Sequence, residues 1–173
     1  AQEVDIIAAF VQPSGLELLE NDLVDALARG ACVRILTGDY LRITHPHALQ
    51  RLYTLTTAHS LLAVRLFRVN DNQAFHPKAY IFVRGPHGAA FVGSSNISRS
   101  ALTRGVEWNL RTTQADAATF RSIRERFEAL FAAPQAAPLT AELVADYQKS
   151  VRVPPAPEPL DAPPRPHAIQ QDV

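Results

Sequence analysis

His76 and Lys78 stand two residues apart at the head of an apolar run over 79–84, and a second run over 89–93 ends in Gly93-Ser94-Ser95-Asn96. Alternate residues of a strand project from one face, so an imidazole and an ammonium are predicted to share one side of a sheet. An imidazole with a reference pKa of about 6.5 can act as nucleophile or proton donor near neutrality, and a lysine beside it can neutralise a phosphate oxygen. Gly93 at a strand end lets the backbone come close to a ligand, while Ser94 and Asn96 can aim hydrogen-bond donors at nonbridging oxygens. Glu107, read on a strand over 106–111, can accept a hydrogen bond from one histidine nitrogen and fix its tautomer. Nucleophile, charge clamp, donors and orienter together outline a phosphate site. His-x-Lys alone is a weak signal, and a surface histidine at a strand start is its plain structural reading. The conjunction with Gly-Ser-x-Asn and a following glutamate makes the pattern specific.

These residues need a sheet to hold them. Residues 4–10 read as a buried strand, and Pro13-Ser14-Gly15 interrupts it before Leu16, Leu19, Leu23 and Leu27 recur at helical spacing. Gly30 closes that helix and 31–36 reads as a second strand. Thr44-His45-Pro46 is a helix start, with Leu49, Leu52 and Leu55 on one face, and 61–67 is a third strand. Asn70-Asp71-Asn72 supplies turn chemistry. After this β-α-β-α-β order, 79–84 and 89–93 are separated only by Gly85-Pro86-His87-Gly88, a loop suited to a hairpin, so antiparallel pairing enters the sheet. A short polar helix over 98–103, the strand over 106–111 and a helix over 116–131 follow, the last with Phe120, Ile123, Phe127 and Leu130 as its apolar stripe. The fold class is α/β, a mixed β-sheet flanked by helices, with its core expected to end near 133.

Beyond the core, 139–151 reads as one more helix, and 153–164 holds six prolines with few large apolar side chains, the composition of a linker. The final 165–173 looks like the opening of a further helix. Seventeen basic and seventeen acidic residues cancel, so any anionic substrate must be held by a local patch rather than by the field of the whole chain. Cys32 is the single cysteine, which excludes an intrachain disulfide and a cysteine metal site, and its apolar surroundings predict a small buried side chain. The apolar stretches are too short to cross a membrane and the mixed start is not a signal peptide. A cytoplasmic chain without a membrane partner is expected.

His76-x-Lys78, Gly93-Ser94-x-Asn96 and Glu107 resemble the signature of the phospholipase D superfamily, the His-Lys-Asp (HKD) phosphodiesterases, with one motif in this chain. Val83 stands where that motif carries aspartate, five residues after the lysine, a departure shared by several nuclease members. The resemblance implies a metal-independent phosphodiesterase with no cofactor. His76 would attack phosphorus and form a phosphohistidine, and a second His76, from a homodimer partner, would protonate the leaving oxygen. Lys78, Ser94 and Asn96 would stabilise the transferred phosphoryl group and Glu107 would orient His76.

A more specific likeness covers 35–44, 93–102 and 105–109, which resemble the phospholipase D-like domain fused ahead of bacterial superfamily 2 helicases. It implies a DNA endonuclease domain over 1–133, a helical extension over 134–152, the linker over 153–164 and, over 165–173, the start of a truncated helicase. ATP would serve only that missing motor, since no Gly-Lys-Thr loop occurs here. DNA is the expected substrate, with a repair or phage-defence role. A catalytically weak DNA-binding and dimerisation module, or a phospholipid-directed enzyme, are the alternatives.

Several weaker candidates surround the motif. Tyr40, after the second strand, sits where α/β folds place ligands and can stack a base or contact phosphate. Ser95, Arg99 and Arg104 are assigned to substrate binding with Gly93, and Arg42, Arg65 and Arg68 can join them in a local basic patch. No metal is expected: His45 and His47 lack acidic partners nearby and read as a helix start. His87 is expected in solvent, and Trp108 opposite Glu107, in the core or in the dimer contact.

Overall fold

The computed structural model describes residues 1–70 and 73–151. β1 (Glu3–Ala8), β2 (Cys32–Gly38) and β3 (Leu62–Phe67) lie parallel, joined by α1 (Pro13–Ala28) and α2 (Pro46–Ala58). Both helices begin on proline, at the position where a missing N–H breaks no helical bond. His45 caps α2, its Nδ1 accepting the His47 N–H at 3.1 Å. The two histidines therefore serve the helix start, as expected.

Antiparallel pairing enters with β4 (Lys78–Arg84), which lies against β1, followed by β5 (His87–Gly93) and β6 (Asn109–Thr113). The sheet runs β6-β5-β4-β1-β2-β3-β7, with β7 the short strand Ala136–Pro138. Its register sets Ala8 beside Lys78, Ala79 beside Val92 and Gly93 beside Asn109. The carboxyl ends of β1, β2, β3 and β5 thus meet the amino ends of β4 and β6 along one margin, where the chemistry-bearing residues collect.

Two apolar layers sandwich this sheet. On one face Val4, Ile6, Val33 and Ile35 meet Leu16, Leu23, Leu49 and Leu52 of α1 and α2. On the other, Ile7, Leu36, Ile81 and Val83 meet Phe120, Phe127 and Phe131 of α3 (Ala117–Phe131). Asp5 lies under α3, only 2% exposed. Arg34 pairs with it through two bonds of 2.7 and 2.9 Å, continues to Glu128 at 2.6 and 2.8 Å, and lies over the Phe127 and Phe131 rings. A carboxylate taken out of water at this depth requires such a partner, and the guanidinium fork supplies paired bonds. These contacts hold the Arg34 guanidinium well above its ordinary range, the bond to Glu128 contributing most.

The structure corrects several expectations. The core does not end near 133: β7 (Ala136–Pro138) pairs with β3, and α4 (Ala141–Ser150) buries Val144 and Tyr147 against the first layer. A three-residue strand ending in proline carries too little periodicity to be read in advance. The edge strand β6 is Asn109–Thr113 rather than 106–111, because β5 ends at Gly93 opposite Asn109 and leaves 106–108 outside the strand ladder. Gly85 and Pro86 alone make the hairpin turn, with Gly85 at φ +55°, and His87 already pairs with Arg84. The segment read as a helix over 98–103 is a single π-helical turn, Ser100–Arg104. Cys32 is exposed, standing at the first position of β2 before burial begins at Val33. The proline-rich segment over 153–164 and the segment over 165–173 lie outside the described residues, as do Asp71 and Asn72.

Removing the Arg34 side chain strands the Asp5 charge beneath α3. Arg34→Ala is expected to cost about 3–5 kcal/mol, measured as the shift in urea unfolding, and a change under about 1 kcal/mol would show that Asp5 does not depend on it.

Candidate active site

Phe75 sets the position of His76. Its ring is buried and stacks on Phe67 with centroids 4.5 Å apart, and it presses on Gly38, where an added Cβ would stand 2.4 Å from the ring. The chain is thereby pinned one residue before the exposed imidazole and three before Lys78, the first residue of β4. Lys78 is only 6% exposed. Its ammonium lies 2.6 Å from His76 Nδ1 and donates to the His76 carbonyl oxygen at 2.7 Å. An ammonium has only hydrogens to give, so Nδ1 accepts and the proton of a neutral ring resides on Nε2. Burial lowers the Lys78 pKa from its ordinary value, and the nearby Glu107 carboxylate opposes that shift.

The Gly-Ser-Ser-Asn segment wraps the same margin. Asn96 is buried, and its Oδ1 accepts the Phe10 N–H at 3.2 Å. That contact fixes which end of the amide accepts and leaves the NH2 group as the donor. The adjoining Ile97 backbone lies against α1, where a Cβ on Gly15 would come within 2.4 Å of it. Two residues not picked out in the sequence hold Ser95: the Tyr80 hydroxyl donates to its carbonyl at 3.1 Å, and Asn109 Nδ2 donates to its Oγ at 2.8 Å. Tyr80 is pushed up to about 12, first by burial and then by Glu107. Its place two residues beyond Lys78, on the same face, was the available signal.

Glu107 does not orient His76. It stands in the lead-in to β6 and accepts a hydrogen bond from the Ser94 hydroxyl, whose oxygen in turn accepts the Trp108 N–H at 3.0 Å. The reason is the shorter strand: with 106–108 outside the strand ladder, the carboxylate folds back onto the end of β5. Ser94's proton is therefore committed to Glu107 in this arrangement. Gly93 lies tight against the chain entering β6, since a Cβ there would stand 2.0 Å from the Trp108 carbonyl oxygen. It lets β6 cross close beside β5.

Val83, in the place of the motif aspartate, is buried among Ile81, Phe120 and Phe127 in the second layer. Five residues of strand separate it from Lys78, on the order of 17 Å. An apolar residue there costs the site no reacting group. Tyr40 packs half-buried against the same layer. Arg99 reaches Glu17 at 2.9 Å and Arg104 is exposed in the π-helical turn. Arg68 and Arg42 both pair with Asp39, and Arg65 bonds the Phe131 carbonyl, so these three do not form the expected patch. Trp108 is 85% exposed rather than in the core.

A family described as "Cardiolipin synthase, PLD-like domain" matches residues 1–131. The chain belongs to the phospholipase D-like family. Its fold is similar to that of phosphatidylserine synthase from Haemophilus influenzae Rd KW20, with a TM-score of 0.58 at 14% identity over 87% of this chain. The phospholipase D-like chain spans 39% of that protein's length. No curated protein is detectably similar to it. The shared chemistry of the family is directed at phosphodiester bonds. Among the described residues no helix is long and apolar enough to cross a membrane.

The chain has two lysines, Lys78 and Lys149, which makes the charge clamp directly measurable. Carbon NMR of the lysine side chains is expected to show Lys78 losing its proton below the ordinary 10.5. Between that lowered value and 10.5 the unfolded chain holds the extra proton, so Lys78 makes stability rise with pH across this window. A Lys78 that titrates at or above 10.5 would contradict the burial seen here.

Proposed function

We propose that this chain is one half of a metal-independent phosphodiesterase that cleaves DNA, working as a homodimer whose two His76 side chains share one centre. The observation that carries the reading is the 2.6 Å contact between the Lys78 ammonium and His76 Nδ1, at the sheet margin to which Asn96 also belongs, its Oδ1 taken by the Phe10 N–H and its NH2 left as the donor. In that state Nε2 bears the proton, which suits a general acid. Attack on phosphorus needs the opposite tautomer, with Nε2 bare, so one imidazole cannot fill both roles in the same step.

In the first step His76 Nε2 of one copy bonds to phosphorus and the bond to the leaving oxygen breaks, while the partner's His76 gives that oxygen its proton. In the second, the partner's His76 takes a proton from water, the water oxygen bonds to phosphorus and the phosphorus–nitrogen bond breaks. Lys78 and Asn96 offset charge on the nonbridging oxygens throughout. Ser94 joins them when its hydroxyl turns from Glu107. Gly93 and Ser95 shape the loop, and Tyr40, Arg99 and Arg104 border the path of the substrate.

DNA rather than lipid is favoured by the resemblance of 35–44, 93–102 and 105–109 to helicase-fused domains. On this reading the domain works joined to a helicase in the cytoplasm, and ATP belongs to that motor alone. A phospholipid substrate is the second reading, supported by the family's description as cardiolipin synthase and by the phosphatidylserine synthase fold.

The test is cleavage of single- and double-stranded DNA in EDTA, beside headgroup release from phosphatidylglycerol vesicles. The chain is expected to cut DNA in EDTA and leave the vesicles intact, and His76→Ala to lower the rate by roughly 10³-fold or more. Cutting that EDTA abolishes, or that His76→Ala retains, would overturn the reading. Headgroup release without DNA cleavage would assign the site to lipid.

A further inference from the structure

Four apolar side chains lie open at the site end of the sheet. Val106 is 95% exposed, Trp108 85%, Leu110 70% and Val92 39%. Val92 and Leu110 are register partners on β5 and β6, and Val92, Trp108 and Leu110 line one shallow depression together with Glu107 and Asn109. A tryptophan alone carries about 150–250 Å² of surface, so the strip approaches the size at which an apolar patch marks a contact site.

We infer that this strip is the surface on which a second copy of the chain docks, and that docking there fixes the site. The inference rests on the shared-centre reading above and names where the copies touch. Three observations select a second copy as the occupant. The strip is continuous with the site: Glu107 turns inward to Ser94 while Val106 and Trp108 on either side of it turn outward. On the shared-centre reading the chemistry takes a second imidazole, and a copy covering this strip is laid against the site's margin. The chain has no net charge, so two copies meet without long-range repulsion, and among the described residues the depression is lined by no lysine or arginine to hold a nucleic acid backbone.

The same contact reaches the chemistry through backbone. The Trp108 N–H donates to Ser94 Oγ and the Trp108 carbonyl accepts the Ser94 N–H, both at 3.0 Å. Packing Trp108 against a partner therefore holds Ser94, and with it Glu107, in place. Trp108 is a positioning residue on this view, acting through Ser94 rather than on the substrate.

Trp108 is the sole tryptophan, so its emission reports on the strip without labelling. Sedimentation equilibrium of the whole chain is expected to give the mass of two copies, with Trp108 emission shifting to the red as dilution separates them. Trp108→Arg combined with Leu110→Glu is expected to raise the dimer Kd by roughly 30-fold or more, with unchanged far-ultraviolet circular dichroism. Should that pair fail to fold, Val106→Lys, at a fully solvated position, is expected to weaken the dimer in the same direction. A wild-type dimer that survives all these changes would overturn the strip as the contact and leave the shared centre standing elsewhere. A monomer that cuts DNA in EDTA would overturn both. A monomer whose Trp108 emission shifts on adding a single-stranded oligonucleotide, or phosphatidylglycerol vesicles, would give the strip to that ligand instead.

Discussion

An ammonium held almost out of water at the end of a sheet is the constraint around which this site is built. Lys78 is placed there by β4, whose antiparallel register against β1 sets it beside Ala8. Desolvating a cation is unfavourable unless lone pairs replace the lost water, and His76 supplies two of them, one from its ring and one from its backbone. The arrangement thus stabilises the lysine and sets the histidine's tautomer by one contact. Phe75 behind it, stacked on Phe67 against Gly38, keeps the imidazole from drifting.

The β-α-β-α-β half was legible because buried parallel strands read as continuous apolar runs and the helices carry proline starts and periodic leucines. The site's inventory was equally legible: His76, Lys78, Ser94, Asn96 and Glu107 all collect at one sheet margin. Their pairings were not. Glu107 was expected on His76 and is found on Ser94, because the position where β6 begins depends on where β5 ends, a tertiary fact with no local signal. The same shift of strand start puts Trp108 outside, where alternation from an earlier start would have left the core open to it. β7 and α4 complete the core through a three-residue strand and two buried side chains, too little pattern to read alone. Val83 shows the converse: its departure from the motif looked chemical and is a matter of core packing.

The structure also explains why the arginines near the motif add less than their number suggests. Arg42 and Arg68 are drawn to Asp39, Arg65 to a carbonyl at the end of α3, Arg34 to Asp5 and Arg99 to Glu17. A chain with balanced charge uses most of these cations to hold its own loops and helices. Affinity for a polyanion would then fall to a few groups at the sheet margin, and a second copy would double them. A twofold pair, as proposed, would also resolve the proton problem, holding one imidazole bare at Nε2 while the other keeps its proton.

The measurement that bears most directly on this is the capture of the covalent intermediate. A DNA substrate is mixed with the chain in EDTA, quenched in alkaline denaturant, where phosphorus–nitrogen bonds to histidine persist, and digested for mass spectrometry. A nucleotide adduct on the peptide carrying His76, absent from His76→Ala, is the predicted result. Efficient cleavage with His76 unmodified at every time point, and water oxygen incorporated by direct displacement with inversion at phosphorus, would contradict it.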